Sequence, residues 1–341
     1  DHPEYTEALC KQIHRVLHVS NYFNTVEAIK AAELVNKATG LSKTFFTNSG
    51  TEAVEGALKL ARKYYYLKTN RDDSQIISLR HSFHGRSTGA VTLTGNPSYH
   101  KGFGPLISGV VYGDINDLKS VTTLVNERTS AIIVEPVQGE GGIHVCTPEF
   151  LQGLRAICDE NDICLIFDEV QCGMGRTGTM MTYQRYGVYP DIVTLAKGLG
   201  AGVPIGAFVA NDKVAQAMKP GDHGSTYGGN PFATSACISV VDIFEKERIL
   251  ENVNARSKYL FEKLEGLKAK YPCIKELRGL GLMVGIELTS EAKPVMKGLL
   301  EQGVIVVTAG LNTIRLLPPL VITDENIDEF IAVFDKVLSQ V

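Results

Sequence analysis

Three short stretches hold residue types that suit chemistry at a small molecule. Thr47-Asn48-Ser49-Gly50-Thr51-Glu52 precedes apolar positions 53, 54, 57, 58, 61, 64 and 65, which fall at helical spacing. Free N–H groups, hydroxyls and the positive dipole end at such a helix start suit an anion, typically phosphate. The same residues also read as an ordinary capping box, with Ser49 as cap and Glu52 three residues on. They carry no lysine of the nucleotide-loop kind, so a nucleoside triphosphate is not indicated. In the second stretch, Ile163-Cys-Leu-Ile-Phe167 is an apolar run that delivers Asp168 and Glu169 at its carboxyl end. Open α/β sheets place ligands there, although two such acids can equally end a strand and cap the next turn. In the third, Lys197 follows the apolar Ile192-Val-Thr-Leu195 and precedes Gly198 and Gly200. A lysine desolvated at a strand end is a Schiff-base nucleophile; its ordinary alternative is a side chain snorkelling from the sheet rim.

Taken singly, each has a bland reading. Together, a phosphate cup, a carboxylate for a pyridinium nitrogen and a lysine for an aldehyde are the fixings that pyridoxal phosphate needs. The elements that would position them follow from pattern. Between about residues 25 and 210, helical periodicity alternates with the runs Ile76–Ser78, Ala131–Val134, Ile163–Phe167 and Ile192–Leu195. This predicts an α/β fold, a mostly parallel sheet with helices on both faces. Beyond Gly228-Gly229-Asn230-Pro231 the pattern changes. Helical stretches at Pro231–Lys246 and Glu251–Lys270 lead to short strands at Leu282–Glu287 and Val304–Val307. A last helix is capped by Thr323, with Ile327, Phe330, Ile331, Phe334, Val337 and Leu338 on one face. We divide the chain into an N-terminal segment 1–24, a large cofactor domain 25–235 and a smaller α+β domain 236–341, bridged by the helix after Asn230. Gly279-Leu-Gly281 lacks dinucleotide-loop spacing and reads as a turn.

Seven stretches then carry a resemblance. They are Asn48-Ser-Gly-Thr-Glu-Ala53, Ser82-Phe-His-Gly-Arg-Ser87, Glu135-Pro-Val-Gln-Gly-Glu-Gly-Gly142, Phe167-Asp-Glu-Val-Gln-Cys-Gly-Met-Gly-Arg-Thr-Gly178, Thr194-Leu-Ala-Lys-Gly198, Gly224-Ser-Thr-Tyr-Gly-Gly-Asn-Pro231 and Ile314-Arg-Leu-Leu-Pro-Pro-Leu320. In order and extent the sequence resembles the class III, fold-type-I pyridoxal phosphate ω-aminotransferases, and within them the members acting on N-acetylornithine. The resemblance implies that Lys197 forms the Schiff base and shuttles the proton, and that Asp168 holds the pyridinium nitrogen protonated. It implies phosphate binding by Ser49, Gly50 and Thr51, ring stacking by Phe83 and Val170, contact of Gln171 with the ring hydroxyl, and a place for Glu169 in the cofactor set. Thr226 and Ser225 would complete a neighbouring subunit's site, at the phosphate and the substrate respectively, so a homodimer is implied. Arg315 would bind the α-carboxylate of 2-oxoglutarate and be masked by Glu140 when the donor is present, while Arg86 would hold the donor's α-carboxylate. Ser20-Asn21-Tyr22-Phe23 resembles the substrate channel of the acetylornithine branch, and His84 receives no role. The implied reaction moves the distal amino group of N-acetylornithine to 2-oxoglutarate, giving N-acetylglutamate 5-semialdehyde and glutamate, a step of arginine biosynthesis. The rivals are succinylornithine, N-acetyllysine, N-succinyldiaminopimelate, ornithine or 4-aminobutyrate chemistry, a mutase or racemase, and a non-catalytic dimer of the same fold.

Composition sets the outer bounds. The chain has 341 residues, enough for about two domains at ~150 residues each. With 34 Lys+Arg against 38 Asp+Glu and no basic block, nucleic acid is not an expected partner. No apolar run approaches the ~20 residues of a membrane helix. Seven scattered cysteines, none in a CxxC pair, favour reduced thiols over disulfides or a metal site. The expected location is the cytoplasm, with mitochondrial matrix or plastid equally reducing. The chain opens on Asp1 and enters a helical pattern at once, which we read as a missing natural start.

Overall fold

Apolar runs bounded by glycine, proline and polar turns form the strands of the computed structural model, which describes residues 2–340; Asp1 and Val341 lie outside it. In chain order they are β1 (Lys43–Thr47), β2 (Gln75–Leu79), β3 (Val110–Gly113), β4 (Thr129–Val134), β5 (Val137–Gln138), β6 (His144–Val145), β7 (Cys164–Asp168), β8 (Ile192–Leu195), β9 (Gly206–Ala210), β10 (Ile274–Leu280), β11 (Met283–Leu288), β12 (Val307–Ala309) and β13 (Thr313–Leu316). Seven of them make one sheet in the order β1-β9-β8-β7-β4-β2-β3. The pairings from β3 across to β8 are parallel, whereas β9 runs antiparallel to both its neighbours. Every residue of β2, β4, β7 and β8 is buried, as strands covered on both faces must be. A smaller antiparallel sheet follows in the order β10-β11-β13-β12.

The helices are α1 (Pro3–Ile13), α2 (Val26–Thr39), α3 (Gly50–Thr69), α4 (Thr88–Leu93), α5 (Leu118–Thr122), α6 (Pro148–Asn161), α7 (Asp212–Ala215), α8 (Pro231–Lys246), α9 (Ile249–Lys270), α10 (Ala292–Glu301) and α11 (Asp324–Leu338). α8 starts where expected because Pro231 is pre-set for a first helical position and Asn230 accepts a hydrogen bond from Ala233 N. It packs on α1, α2 and α9, and its Phe244 touches the apolar cores of both sheets. α11 closes the chain with the expected Thr323 cap, reciprocated by Asn326.

The run Val304–Val307 is not the strand its β-branched residues suggest. Val304 N donates to Leu299 O at 2.9 Å, so it belongs to the turn that ends α10 through Gly303 (φ +84°). Pairing begins only at Val307. α1 ends at Ile13, before Val16 and Leu17. None of the seven cysteines is paired. Among the described residues no group of side chains is placed to hold a metal ion, and no helix is long and apolar enough to cross a membrane.

Candidate active site

A cavity of ≈ 480 Å³ opens at the carboxyl ends of β7 and β8, and the three stretches singled out above converge on it. β1 delivers Ser49, Gly50 and Thr51 at the start of α3, β7 delivers Asp168, and the turn after β8 delivers Lys197. The first stretch begins α3 with Ser49 as its cap. Ser49 Oγ accepts from Glu52 N at 3.3 Å, and the returning Glu52 carboxylate takes Asn48 N at 2.8 Å, while Gly50 and Thr51 face the cavity. A Cβ at Gly50 would lie 2.8 Å from Val170 Cγ1, so glycine keeps this cradle open.

Asp168 is 3% exposed and held from three sides. Its Oδ1 accepts from Val170 N at 3.0 Å and Thr194 Oγ1 at 3.1 Å, and its Oδ2 lies 2.8 Å from His84 Nδ1. His84 is therefore a site residue that sequence reasoning left without a role, although its motif had been singled out. Its Nε2 is buried without a partner. Glu135 was missed too, although it follows the apolar β4 as Asp168 ends β7. It accepts from Phe83 N at 2.9 Å and Gly139 N at 3.2 Å, tying the Phe83 turn to the loop of Glu140. Burial pushes its carboxyl up to about 7.

Lys197 lines the cavity in the left-handed region at φ +45°, a conformation that costs a non-glycine residue on the order of 1–2 kcal/mol and persists where function requires it. In this single chain Lys197 is exposed. Phe83 and Val170 both line the cavity, and the Arg86 guanidinium lies over two rings, 4.6 Å from Tyr99 and 5.6 Å from Phe83. At the far end of Gln171, β13 presents Arg315. Its Nη1 donates to Glu140 Oε1 at 2.6 Å and to Gln171 Oε1 at 3.2 Å. Arg315 is 9% exposed, and its Nε is buried without a partner.

Two groups lie elsewhere. Ser225 and Thr226 line a separate opening of ≈ 1100 Å³ beside Asn21, Tyr22 and Phe23. Asn21 Nδ2 donates to Ser225 O at 2.6 Å, and Asn48 Nδ2 reaches Ser225 Oγ at 3.3 Å. Glu169, expected in the cofactor set, turns away from the cavity. Its carboxylate caps the backbone of the 182–186 turn, accepting from Thr182 N at 3.0 Å and Tyr183 N at 3.1 Å.

Burial raises Glu169 to about 7 as well, which fixes the sign of a pH effect. Between the unfolded carboxyl's ordinary range near 4.5 and about 7, the folded state binds more protons than the unfolded one, so stability falls as pH rises through that window and levels above it. The Glu169 contribution is at most about 3 kcal/mol. Glu169→Gln is expected to flatten this slope in urea unfolding measured from pH 5 to 8; an unchanged slope contradicts the assignment.

Pyridoxal phosphate fits these residues: a glycine cradle at a helix start for its phosphate, a buried and oriented carboxylate for its ring nitrogen, two apolar walls for its ring and a lysine on the same cavity for its aldehyde. The class-III aminotransferase family matches residues 1–338. An acetylornithine aminotransferase from Caldanaerobacter subterraneus subsp. tengcongensis is 48% identical over 341 residues, covering 100% of this chain and 86% of that protein. The succinylornithine transaminase of Salmonella typhimurium is 43% identical over 330 residues, covering 96% and 81%. Among solved structures, an ornithine aminotransferase from Toxoplasma gondii superposes with a TM-score of 0.95 at 32% identity, covering 100% of this chain and 82% of that one, and has PLP at partial occupancy in its active site. A match of that length, on a cavity that gathers a lysine and a held carboxylate, leaves one conclusion: the chain belongs to the class-III aminotransferases and is a pyridoxal-phosphate-dependent enzyme.

Proposed function

We propose that the enzyme transfers the distal amino group of N-acetylornithine to 2-oxoglutarate, yielding N-acetylglutamate 5-semialdehyde and glutamate. The observation that carries this reading is the Glu140–Arg315 pair at 2.6 Å beside Gln171. A guanidinium that can be covered or bared lets one site serve both a donor reacting at a distal amine and an acceptor reacting next to its carboxylate. The similarity to acetylornithine aminotransferases supports the donor.

Pyridoxal phosphate, when bound, supplies an aldehyde and an electron-withdrawing pyridinium ring. Lys197 Nζ would hold that aldehyde and, once a donor amine has taken its place, would be left as a free amine on the cavity wall. The freed amine then takes the proton from the carbon that bore the donor nitrogen. Asp168 would keep a negative charge at the ring nitrogen, and its three hydrogen-bond partners keep it from turning. Arg86, braced over Phe83 and Tyr99, takes the donor's α-carboxylate. When 2-oxoglutarate enters, Glu140 swings off Arg315, and the guanidinium takes the acceptor's α-carboxylate. The cofactor machinery falls in the 25–235 domain and the acceptor arginine in the 236–341 domain. Ser225 and Thr226 serve the site of a second copy, so the working unit is a homodimer, acting in the cytoplasm.

The test is the visible spectrum of the holoenzyme, to which N-acetylornithine and then 2-oxoglutarate are added. Loss of the cofactor band with the donor and its return with the acceptor supports both halves; a band that ignores N-acetylornithine rejects that donor. Succinylornithine is a second reading, favoured by the similarity to a succinylornithine transaminase, and the ratio of kcat/KM values for the two donors decides. Glu140→Ala bares Arg315 throughout. Because a charge-assisted hydrogen bond is worth about 1.5–3 kcal/mol, the variant is expected to lose about 10–100-fold of its preference for N-acetylornithine over glutamate as donor. Competition between the two donors measures it, and an unaltered preference sinks the masking role.

A further inference from the structure

Arg176 lies eight residues beyond Asp168 in the loop that follows β7, yet its side chain serves the other sheet. One guanidinium nitrogen, Nη1, donates to Leu282 O at 3.1 Å and to Pro318 O at 2.6 Å. Leu282 sits in the turn between β10 and β11, and Pro318 is three residues after Arg315. The backbone repeats the contact, since Leu282 N donates to Arg176 O at 2.9 Å. A Cβ at Gly281 (φ +60°) would fall 2.5–2.6 Å from the backbone of Arg176 and Thr177, so the turn is pressed directly onto this loop. Around the same joint, Cys172 packs with Met283 and Leu317.

No carboxylate pairs with Arg176 among the described residues. A half-buried charge held only by carbonyls costs solvation, which is reason to look for what it secures. What it secures is the register of β11 against β13, where Gly285 lies opposite Arg315, and the chain just beyond that arginine. The loop that carries Asp168 and Gln171 at one end is thereby fastened, through Arg176 at the other, to the strand that carries Arg315.

We propose that Arg176 is a positioning residue for the acceptor half-reaction, clamping the Arg315 strand onto the cofactor loop so that the guanidinium meets the acceptor carboxylate at a fixed distance from Lys197. This rests on the carboxylate-binding role given to Arg315 above. In the holoenzyme, Arg176→Met is expected to raise the KM for 2-oxoglutarate about tenfold, the equivalent of one lost hydrogen bond to a charged group, with the donor half-reaction within about twofold of wild type. Hydrogen exchange of the β13 amides is expected to accelerate in the same variant. Arg176→Lys, which keeps one charged donor, is expected to restore most of the loss, and if the methionine variant does not fold, the lysine variant is expected to show a smaller rise in acceptor KM on its own.

An unchanged acceptor KM in a folded variant, or equal losses in both half-reactions, overturns the proposal. Wild-type enzyme that ignores 2-oxoglutarate overturns the function proposed above instead. In that case the exchange rates of β13 still decide whether Arg176 is a clamp: faster exchange supports it, and unaltered exchange overturns it.

Discussion

Lys197→Ala is expected to abolish turnover, by more than about 10⁴-fold in kcat, because on the function proposed above it removes both the covalent hold on the cofactor and the base that moves the proton. Three ionisable side chains on the same cavity are otherwise engaged. Glu135 is spent on two backbone N–H groups, Asp168 is held by three donors, and the Arg86 guanidinium has no proton to exchange at neutral pH. The fold should survive, since Lys197 is exposed and no ladder or core contact runs through its side chain. Far-ultraviolet circular dichroism and kcat measured on one preparation separate the two effects. Turnover that survives the substitution contradicts the mechanism, whereas a lost dichroism signal would mean that the residue is structural.

Asp168→Asn ranks second. Asparagine fits the space and keeps an acceptor for Val170 N and Thr194 Oγ1, but it carries no charge to hold a proton on a ring nitrogen. Removing one oriented electrostatic partner from a water-poor site costs about 10²–10³ in kcat. Weaker retention of pyridoxal phosphate should accompany the loss, seen as a fall in the bound-cofactor absorbance on dialysis. A kcat within about threefold of wild type would mean that His84 or another group carries the role.

What could be read without coordinates was whatever a residue's immediate neighbours decide. The runs Ala131–Val134, Ile163–Phe167 and Ile192–Leu195 are apolar but for Thr194, so strand type, burial and the delivery of Asp168 and Lys197 at one edge followed from local pattern. The caps at Ser49 and Thr323 were equally local. Val304–Val307 failed because a hydrogen bond to Leu299 O, invisible in composition, claims its first residue for the preceding helix. Glu169 failed for a related reason. Two adjacent acids after a strand look alike in sequence, and the pleat sends one toward the cavity while the other meets the backbone of the 182–186 turn. His84 and Glu135 acquire their roles from partners 84 and 4 to 52 positions away, and no spacing rule announces such pairings. The pairing of Arg315 with Glu140 spans 175 positions and was reached only through resemblance.

The placement of Arg315 on a different sheet from the strands that deliver Asp168 and Lys197 also bears on descent. Asp168 and Lys197 hang from the seven-stranded sheet, while Arg315 hangs from the four-stranded one. On the role proposed for Arg315, drift in β10 to β13 can therefore retune which oxo acid is accepted while Asp168 and Lys197 stay untouched. Duplicated copies would diverge in diet before they diverge in chemistry.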